Sequence, residues 1–370
     1  MQQSRAVVLE SFGAPLAVRE FPVPAPAPGD LVVAVGLAGI CGTDLHLRDG
    51  HLPIPTPLVL GHEGLGVVHA LGGGARGGGV PTDARGDPLR VGDTVMWASS
   101  ISCGRCAACR QHREPTLCAD RRTYGVNRPL DRGQPLSGAW ADHIYLEAGT
   151  TVVKLPPGID PAVAMSLACA GPTVVHALGE RRPPRLGESV IVQGSGPVGL
   201  AAAALAQLAG AASVVLLGGP AGRLDLAREC GIGDVHIDIE SAGALDAALA
   251  GTPRGEGADL VIECAGAPVA VAQGLRLPRR GGSYLVIGQY TDGGDTPMNP
   301  HQIVYRQLDV IGSWAFTGAH LVGYVELLPR LAARFDLRRL VTTFDLADAD
   351  EAMRQVASGA VLKALLRPAR

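Results

Sequence analysis

Residues 189–199 read SVIVQGSGPVG, an apolar run that ends in three closely spaced glycines. The first five residues favour a β-strand and the apolar stretch after Gly199 favours a helix, so the glycines fall in the turn between them. In such a G-x-G-x-x-G turn the glycines permit a tight bend, a close approach to a pyrophosphate, and helix–strand packing. A glycine turn alone can also lack function, but its position between strand and helix favours dinucleotide binding at the helix N-terminus. The predicted phosphate-binding residues are Gly194, Gly196, Pro197, Val198 and Gly199.

The chain around this turn alternates apolar strands with helices from residue 189 to about 290. This alternation is typical of a doubly wound parallel sheet, so the fold class is α/β. The stretch 189–219 is apolar enough to suggest a membrane span, but its glycines interrupt it. We therefore predict a Rossmann cofactor domain over residues 172–313.

The second strand of this domain lacks the acidic residue that NAD-binding proteins place about 20 residues after the glycine turn. SVVLL is followed by Gly218, and Arg223 opens the next helix. Without an acid, nothing chelates the ribose hydroxyls of NAD and nothing repels the 2′-phosphate of NADP. Arg223 would supply a positive charge to that phosphate, although it could equally be a solvated residue. We expect NAD(P) with a slight preference for NADP.

The overall composition is that of a globular enzyme. The 370 residues are 47% hydrophobic and 18% charged, with a net charge of −3 and no long basic run. This balance predicts no nucleic-acid or membrane partner. The N-terminal MQQSRAVVLE has no apolar signal core, so we expect a cytoplasmic location.

Four of the eight cysteines lie within sixteen residues of one another. In a reducing compartment such a cluster is more typical of a metal site than of disulfides. Four thiolates form a closed shell around zinc and leave no position for substrate, which indicates a structural zinc. An iron–sulfur cluster and unmetallated thiols are the alternatives. The predicted ligands are Cys103, Cys106, Cys109 and Cys118.

Three further features are far apart in sequence: Cys41 in CGTDLH, His62 in GHE, and Cys169 in LACAGPT. One imidazole and two thiolates can hold a zinc and leave a fourth position for an alcohol oxygen. Taken singly, each residue could be an ordinary core or turn residue. Their combination upstream of the glycine turn indicates a catalytic metal.

Together, these motifs resemble the zinc-dependent medium-chain alcohol dehydrogenases, and the resemblance extends over nearly the whole chain. The segments that carry it, besides the cysteine lobe, are GHEGLGVV, VGDTV, GAWADHIYL, GSGPVG and VLKALLR. The resemblance implies a GroES-like β-rich catalytic domain at residues 1–171 with a zinc lobe at about 99–120. Residues 314–370 would complete that domain.

The resemblance also implies roles for individual residues. Cys41, His62 and Cys169 match the catalytic zinc ligands. Thr43 and His46 match the relay that passes on the alcohol proton, which is general acid–base chemistry. The remaining matches are Asp44 orienting the ligand histidine, Glu63 behind the metal, Thr173 beside the nicotinamide, and Lys363 reaching the cofactor pyrophosphate.

The implied reaction is reversible hydride transfer between a primary or secondary alcohol and NAD(P), in a homodimer or homotetramer that pairs through the strand near SYLVIGQY. The family's polyol enzymes often carry Glu at the position of Cys169. The cysteine in this chain therefore argues modestly against a polyol substrate. The stretch TDARGDPLRVGDTVMWASSISCGRC resembles a subgroup labelled phosphonate-catabolism-associated alcohol dehydrogenases. The alternatives are a polyol or hydroxyalkyl-phosphonate dehydrogenase, a dismutase that retains its cofactor, and a non-enzymatic nucleotide-binding relative.

Overall fold

The computed structural model describes residues 2–73 and 81–368. The strands in chain order are β1 (Gln3–Leu9), β2 (Ala17–Pro22), β3 (Leu31–Gly39), β4 (Leu58–Val59), β5 (Gly64–Leu71), β6 (Thr94–Trp97), β7 (Ser100–Ile101), β8 (Arg122–Thr123), β9 (His143–Leu146), β10 (Val152–Lys154), β11 (Ser189–Gln193), β12 (Ser213–Gly218), β13 (Val235–Asp238), β14 (Ala258–Glu263), β15 (Pro278–Val286), β16 (Asp309–Gly312), β17 (Val341–Asp345) and β18 (Lys363–Arg367). The α-helices are α1 (Gly42–Arg48), α2 (Ala107–Arg110), α3 (Pro161–Ser166), α4 (Ala170–His176), α5 (Pro197–Leu208), α6 (Ala221–Glu229), α7 (Ala244–Ala250), α8 (Pro268–Gly274), α9 (His301–Tyr305), α10 (Gly318–Arg334) and α11 (Ala349–Ala357).

The chain forms two compact units. The first contains Met1–Cys169, Thr317–Leu328 and Val341–Arg370, and the second contains Ala170–Phe316 and Pro329–Leu340. Each unit therefore draws on chain segments that are distant in sequence.

The assignment of one segment differs from the sequence-based prediction, which placed all of residues 314–370 in the catalytic domain. Residues 329–340 belong to the second unit. The N–H of Asp336 donates to the carbonyl of Cys230 at 3.3 Å, and Arg339 forms an ion pair with Glu229 at 3.2 Å. These contacts hold the segment against the end of α6.

The second unit is built on a six-stranded sheet in the order β13-β12-β11-β14-β15-β16. Every neighbouring pair is parallel. This order matches the Rossmann pattern, whose strand order reverses beside the first strand, here between β11 and β14. The predicted doubly wound sheet is confirmed. All six strands end at one edge, where ligands of such sheets bind.

The outer strand of this sheet corrects one expectation. The strand within SYLVIGQY is β15, and it already pairs with β14 on one side and β16 on the other. A strand with two neighbours has no unpaired backbone edge to offer to another subunit. The edges of the sheet are instead β13 and β16.

The first unit is dominated by antiparallel pairing. Its main sheet runs β10-β6-β5-β3-β18-β17, with β9 also paired to β3, and a smaller sheet runs β2-β1-β4. The terminal strand β18 pairs antiparallel with β3. That pairing brings residues 363–367 beside the chain that leads into α1.

No helix in the described parts of the chain is long and apolar enough to cross a membrane. The apolar stretch 189–219 instead forms β11, α5 and β12.

Candidate metal centre and cofactor loop

Residues from three separate parts of the first unit meet at one point. Cys41 precedes α1, His62 and Glu63 immediately precede β5, and Cys169 lies between α3 and α4. Their ligand atoms all lie within 4.8 Å of one another. Cys41 Sγ and His62 Nε2 are 3.0 Å apart. The predicted convergence of two sulfurs and one imidazole is therefore present in the folded chain.

The donor set at this point is suited to zinc. Zinc takes sulfur at about 2.3 Å and nitrogen at about 2.0 Å, so tetrahedral ligands stand roughly 3.5–4 Å apart. The observed separations need only small side-chain shifts to reach that spacing. Glu63 Oε1 is also buried here without a hydrogen-bond partner in the described structure. A buried orphan acceptor beside two thiols and an imidazole indicates a place for a cation.

The interaction between the two thiols of the cluster moves their pKa values in opposite directions. The hydrogen bond from Cys169 is the largest influence that lowers the pKa of Cys41, while burial opposes it. The same bond and burial raise the pKa of Cys169. The chain alone thus favours one thiolate, and a divalent cation would favour two, since the thiolate is the metal-binding form.

His62 is held by Asp44, which is completely buried. His62 Nδ1 and Asp44 Oδ1 are 3.3 Å apart, and neither atom has a hydrogen bond of good geometry to any other described group. Burial acts to lower the pKa of His62, but the negative charges of Cys41 and Asp44 outweigh it and raise the pKa well above the usual value. Asp44 therefore directs Nδ1 away from the sulfurs and leaves Nε2 facing them.

Local backbone chemistry places Cys41 and His62. The carboxylate of Asp44 accepts the N–H of Cys41 at 2.9 Å, and Cys41 Sγ accepts the N–H of Thr43 at 3.4 Å, which caps α1. Gly61, before His62, has φ +96°, and a Cβ there would lie 2.2 Å from Trp140 Cδ1. Only glycine permits this turn against the buried indole.

Glu63 forms a fully buried ion pair with Lys363 of β18. The Lys363 ammonium also donates to the carbonyl of Ile40 at 3.3 Å. The observed contacts of Lys363 thus lie beside the cluster of Cys41, His62 and Cys169. Contact between Lys363 and a cofactor pyrophosphate stays a prediction. The sequence suggested Glu63 but did not reveal its partner, because 300 residues separate the two.

The two predicted relay residues lie on one face of α1. Thr43 and His46 are three residues apart, so their side chains point the same way along the helix. Both are half-buried. Burial lowers the pKa of His46, and the neighbouring His51 acts in the same direction. A neutral imidazole at this place can accept a proton near neutral pH.

The four-cysteine lobe closes on itself as the spacing predicts. The ligand sulfurs of Cys103, Cys106, Cys109 and Cys118 lie within 4.8 Å of one another. The N–H of Cys103 donates to Cys118 Sγ at 3.3 Å, and the N–H of Cys106 donates to Cys103 Sγ at 3.4 Å. Backbone N–H groups of Arg105 and Cys106 lower the pKa of Cys103 to about 6. Such thiolate character is what a metal requires.

The glycine turn lies between β11 and α5 in the second unit. Gly194 has φ +107°, and its N–H donates to the carbonyl of Leu217 at 2.7 Å. A Cβ on Gly199 would lie 1.8 Å from the Gly194 carbonyl oxygen, so helix and turn touch through backbone alone. Gly196 caps α5 and Pro197 begins it. The turn therefore presents the N-terminus of a twelve-residue helix to a ligand.

The end of β12 leaves no room for an acidic side chain. A Cβ on Gly218 would lie 2.7 Å from the backbone nitrogen and the hydroxyl of Ser195. Asp238 ends the neighbouring β13, but its Oδ1 accepts the N–H of Glu240 at 3.0 Å. Arg223 lies in the first turn of α6, and its Nε is buried without a partner in the described residues. Burial lowers the pKa of Arg223.

Glu263, which sequence reasoning missed, holds the loops beyond β14 and β15. Its fully buried carboxylate accepts the N–H groups of Ala265 and Gly266, each at 2.8 Å, and that of Gly288 at 3.1 Å. A carboxylate at the end of a buried strand was the available signal.

Thr173, predicted to lie beside the nicotinamide, is a half-buried residue of α4.

Two aromatic side chains stack after the last two strands of the parallel sheet. The rings of Tyr290 and Trp314 are 4.6 Å apart and inclined by 10°. Trp314 remains 39% exposed. Both residues follow carboxyl ends of strands, so they lie at the same sheet edge as the glycine turn.

Comparison with known proteins matches both units. Residues 27–157 match the family model described as alcohol dehydrogenase GroES-like domain, and residues 197–330 match the one described as zinc-binding dehydrogenase. The 5-exo-hydroxycamphor dehydrogenase of Pseudomonas putida is 32% identical over 370 residues, with 99% of each chain covered.

Solved structures agree with this assignment. An alcohol dehydrogenase from Thermotoga maritima superposes with a TM-score of 0.92 at 32% identity, over 100% of both chains. A dehydrogenase from Sinorhizobium meliloti solved with bound NADP superposes with a TM-score of 0.85 at 28% identity, again over 100% of both chains.

The buried pair of Glu63 and Lys363 yields a stability prediction. Lys363→Met leaves an uncompensated buried carboxylate, and we expect it to reduce the free energy of unfolding by about 3–5 kcal/mol. The double variant Glu63→Gln/Lys363→Met removes both charges and should recover more than half of that loss. Chemical denaturation of the zinc-loaded protein measures both.

A matched control is Arg354→Met, which breaks the exposed pair with Glu351 on α11. It should leave the denaturation midpoint unchanged, because exposed pairs contribute little. A Lys363→Met midpoint equal to that of the wild type would contradict the role of the buried pair.

Proposed function

Because this chain belongs to the zinc-dependent medium-chain dehydrogenase/reductase family, we propose that it oxidises an apolar secondary alcohol to a ketone, reversibly, with NADP⁺. Zinc-binding dehydrogenase chemistry is common to the family, and the substrate and coenzyme are the proposed part. One observation carries the proposal. The ligand atoms of Cys41, His62 and Cys169 and a carboxylate oxygen of Glu63 all lie within 4.8 Å of one another.

The residues around that point suit alcohol oxidation. A zinc ion held there would make an alcohol hydroxyl far more acidic, and a bound nicotinamide would accept the hydride. Cys41, His62 and Cys169 would hold the zinc, and Asp44 keeps the His62 ring oriented. Thr43 accepts the alcohol proton on its hydroxyl while passing its own proton on, and His46 receives it.

A second zinc, in the lobe of Cys103, Cys106, Cys109 and Cys118, would have a structural role. Four sulfurs at mutual ligand distance leave no coordination position for substrate. The lobe holds little secondary structure apart from the short helix α2, which has no buried residue. A metal would therefore stabilise a segment that has almost no apolar core of its own.

NADP is favoured as coenzyme by the end of β12. The lack of space at Gly218 removes the acid that would repel a 2′-phosphate. The guanidinium of Arg223, whose Nε has no partner among the described residues, would pair with that phosphate. The relative from Sinorhizobium meliloti, which binds NADP, supports the same choice.

An apolar secondary alcohol is favoured as substrate on two grounds. The relative from Pseudomonas putida acts on hydroxycamphor, a secondary alcohol on an apolar ring system. The stacked pair Tyr290–Trp314 offers an apolar, partly exposed surface at the ligand-binding edge of the sheet. A polyol or a hydroxyalkyl phosphonate would instead need convergent polar or basic groups.

The function is tested by following nicotinamide absorbance with a panel of alcohols. Cyclic secondary alcohols should give a kcat/KM at least tenfold above that of sorbitol, threonine or hydroxyalkyl phosphonates. Wild-type protein should contain two zinc ions per chain, and Cys41→Ser should contain one and lose about 10³-fold or more in kcat.

Cys230→Ser serves as the control, because this buried cysteine of the second unit belongs to neither cluster. It should keep two zinc ions and wild-type kcat. Full activity of zinc-depleted Cys41→Ser would reject the mechanism. Cofactor that remains bound through gel filtration, with no net reduction, would indicate a dismutase instead.

The coenzyme proposal predicts that Arg223→Met weakens NADP⁺ binding about tenfold and NAD⁺ binding less than twofold, because only NADP⁺ carries the 2′-phosphate. Calorimetric titration measures both dissociation constants. The control is Arg228→Met on the same helix, whose side chain is exposed and pairs with Asp225. Equal weakening for both coenzymes, or tighter binding of NAD⁺ to the wild type, would contradict the proposal.

We also propose that the chain forms a homo-oligomer through β16. This strand is one of the two edge strands of the sheet, and its Val310 is 46% exposed. The nearby Val304 and Tyr305 at the end of α9 are also exposed. Backbone pairing of two β16 strands about a two-fold axis would join two sheets and cover these apolar groups.

Replacing Val310 with lysine should disrupt that pairing, since a charge at a strand edge opposes strand addition. Light scattering should find a dimer or tetramer for the wild type and a smaller species for Val310→Lys. Val269→Lys, at an exposed position on α8, should assemble like the wild type. A monomeric wild type at micromolar concentration would refute the assembly.

A further inference from the structure

His51 lies beside the predicted relay, five residues beyond His46 at the end of the segment CGTDLH. The chain leaves α1 at Asp49 and turns so that the N–H of His51 donates to the carbonyl of His46 at 2.9 Å. The Nδ1 atoms of the two rings are 3.3 Å apart. The ring centroids are separated by 5.5 Å, with the planes inclined by 52°. His46 is half-buried and His51 is exposed.

We propose that His51 is a second imidazole of the proton relay, which carries the proton from His46 to solvent. The inference rests on the proposed alcohol oxidation, because that reaction releases the proton.

The His46 and His51 rings are close enough to share a proton through a hydrogen bond. Two Nδ1 atoms at this distance require one to donate and the other to accept, so a single proton lies between neutral rings. With that proton on His46, Nε2 of His46 is an acceptor and can receive the proton that arrives from Thr43. The Nδ1 proton of His46 then moves to Nδ1 of His51, and the Nε2 proton of His51 passes to water.

Protons balance along this path. One enters at His46 and one leaves at His51, and no electrons move. Afterwards the shared proton belongs to His51 and Nε2 of His46 carries a proton, which is the arrangement needed to deliver a proton inward for ketone reduction. The same pair therefore serves both directions of a reversible dehydrogenase.

The charges near His46 favour transfer outward. Burial and, after it, His51 lower the pKa of His46, while the negative groups Cys41 and Asp49 act to raise it. Asp49 is partly neutralised by Arg48, whose Nε is 3.0 Å from Asp49 Oδ1. A half-buried imidazole that resists a lasting positive charge passes its proton readily to an exposed one.

The test compares proton release by the zinc-loaded wild-type enzyme and His51→Gln. Stopped-flow mixing with alcohol, coenzyme and a pH-indicator dye in dilute buffer measures the rate at which the proton reaches solution. We expect His51→Gln to slow this release on the order of tenfold, and added imidazole to restore it. Coenzyme dissociation constants should not change, because His51 is exposed and far along the chain from the glycine turn.

The matched control is His69→Gln, another exposed histidine of the first unit, on β5. It should release protons at the wild-type rate. A His51→Gln release rate equal to that of the wild type overturns the inference while leaving the alcohol oxidation intact. Slow release that imidazole does not restore also overturns it, since a structural defect would behave so. A wild type that reduces no coenzyme with any alcohol rejects the proposed function and the relay together.

Discussion

The structure depends on the burial of several charged and metal-binding groups at one point of the first unit. Cys41, His62 and Cys169 meet there, and Glu63 and Lys363 form an ion pair beside them. Burial of ionised groups is costly unless each finds a partner. Asp44 supplies one for the imidazole, Lys363 supplies one for Glu63, and zinc would supply one for the thiolates. The pairing of β18 with β3 serves the same purpose, because it brings Lys363 to the buried carboxylate of Glu63.

The second unit depends on a different constraint, which is the close approach of backbone segments to one another. Glycine turns after β11, β14 and β15 nest against one another. A Cβ on Gly194 would lie 2.8 Å from the backbone of Cys264 and Ala265, and one on Gly288 would lie 2.6 Å from Gly266 N. The carboxylate of Glu263 fastens two of these loops through backbone N–H groups. A rigid edge of this kind can present a helix N-terminus to phosphate at a fixed place.

Much of the candidate site could be predicted from sequence because its signals are local. The spacing of the four cysteines and the glycine turn between strand and helix are readable within short windows. The cluster of Cys41, His62 and Cys169 was different: these residues carry no local pattern, and the role proposed for them came from their combination and from resemblance. Glu263 and His51 escaped notice, since a single acid or histidine near a turn carries no distinctive pattern.

The sequence by itself determined the parallel Rossmann sheet and the four-cysteine lobe, because residue type and short-range spacing set those properties. Only the tertiary structure decided which strands form the edges of the sheet, where residues 329–340 belong, and which cation neutralises Glu63. These depend on contacts between residues hundreds of positions apart, such as Glu63 with Lys363. No periodicity records such contacts, because they form only when strands distant in the chain pair and bury their side chains together.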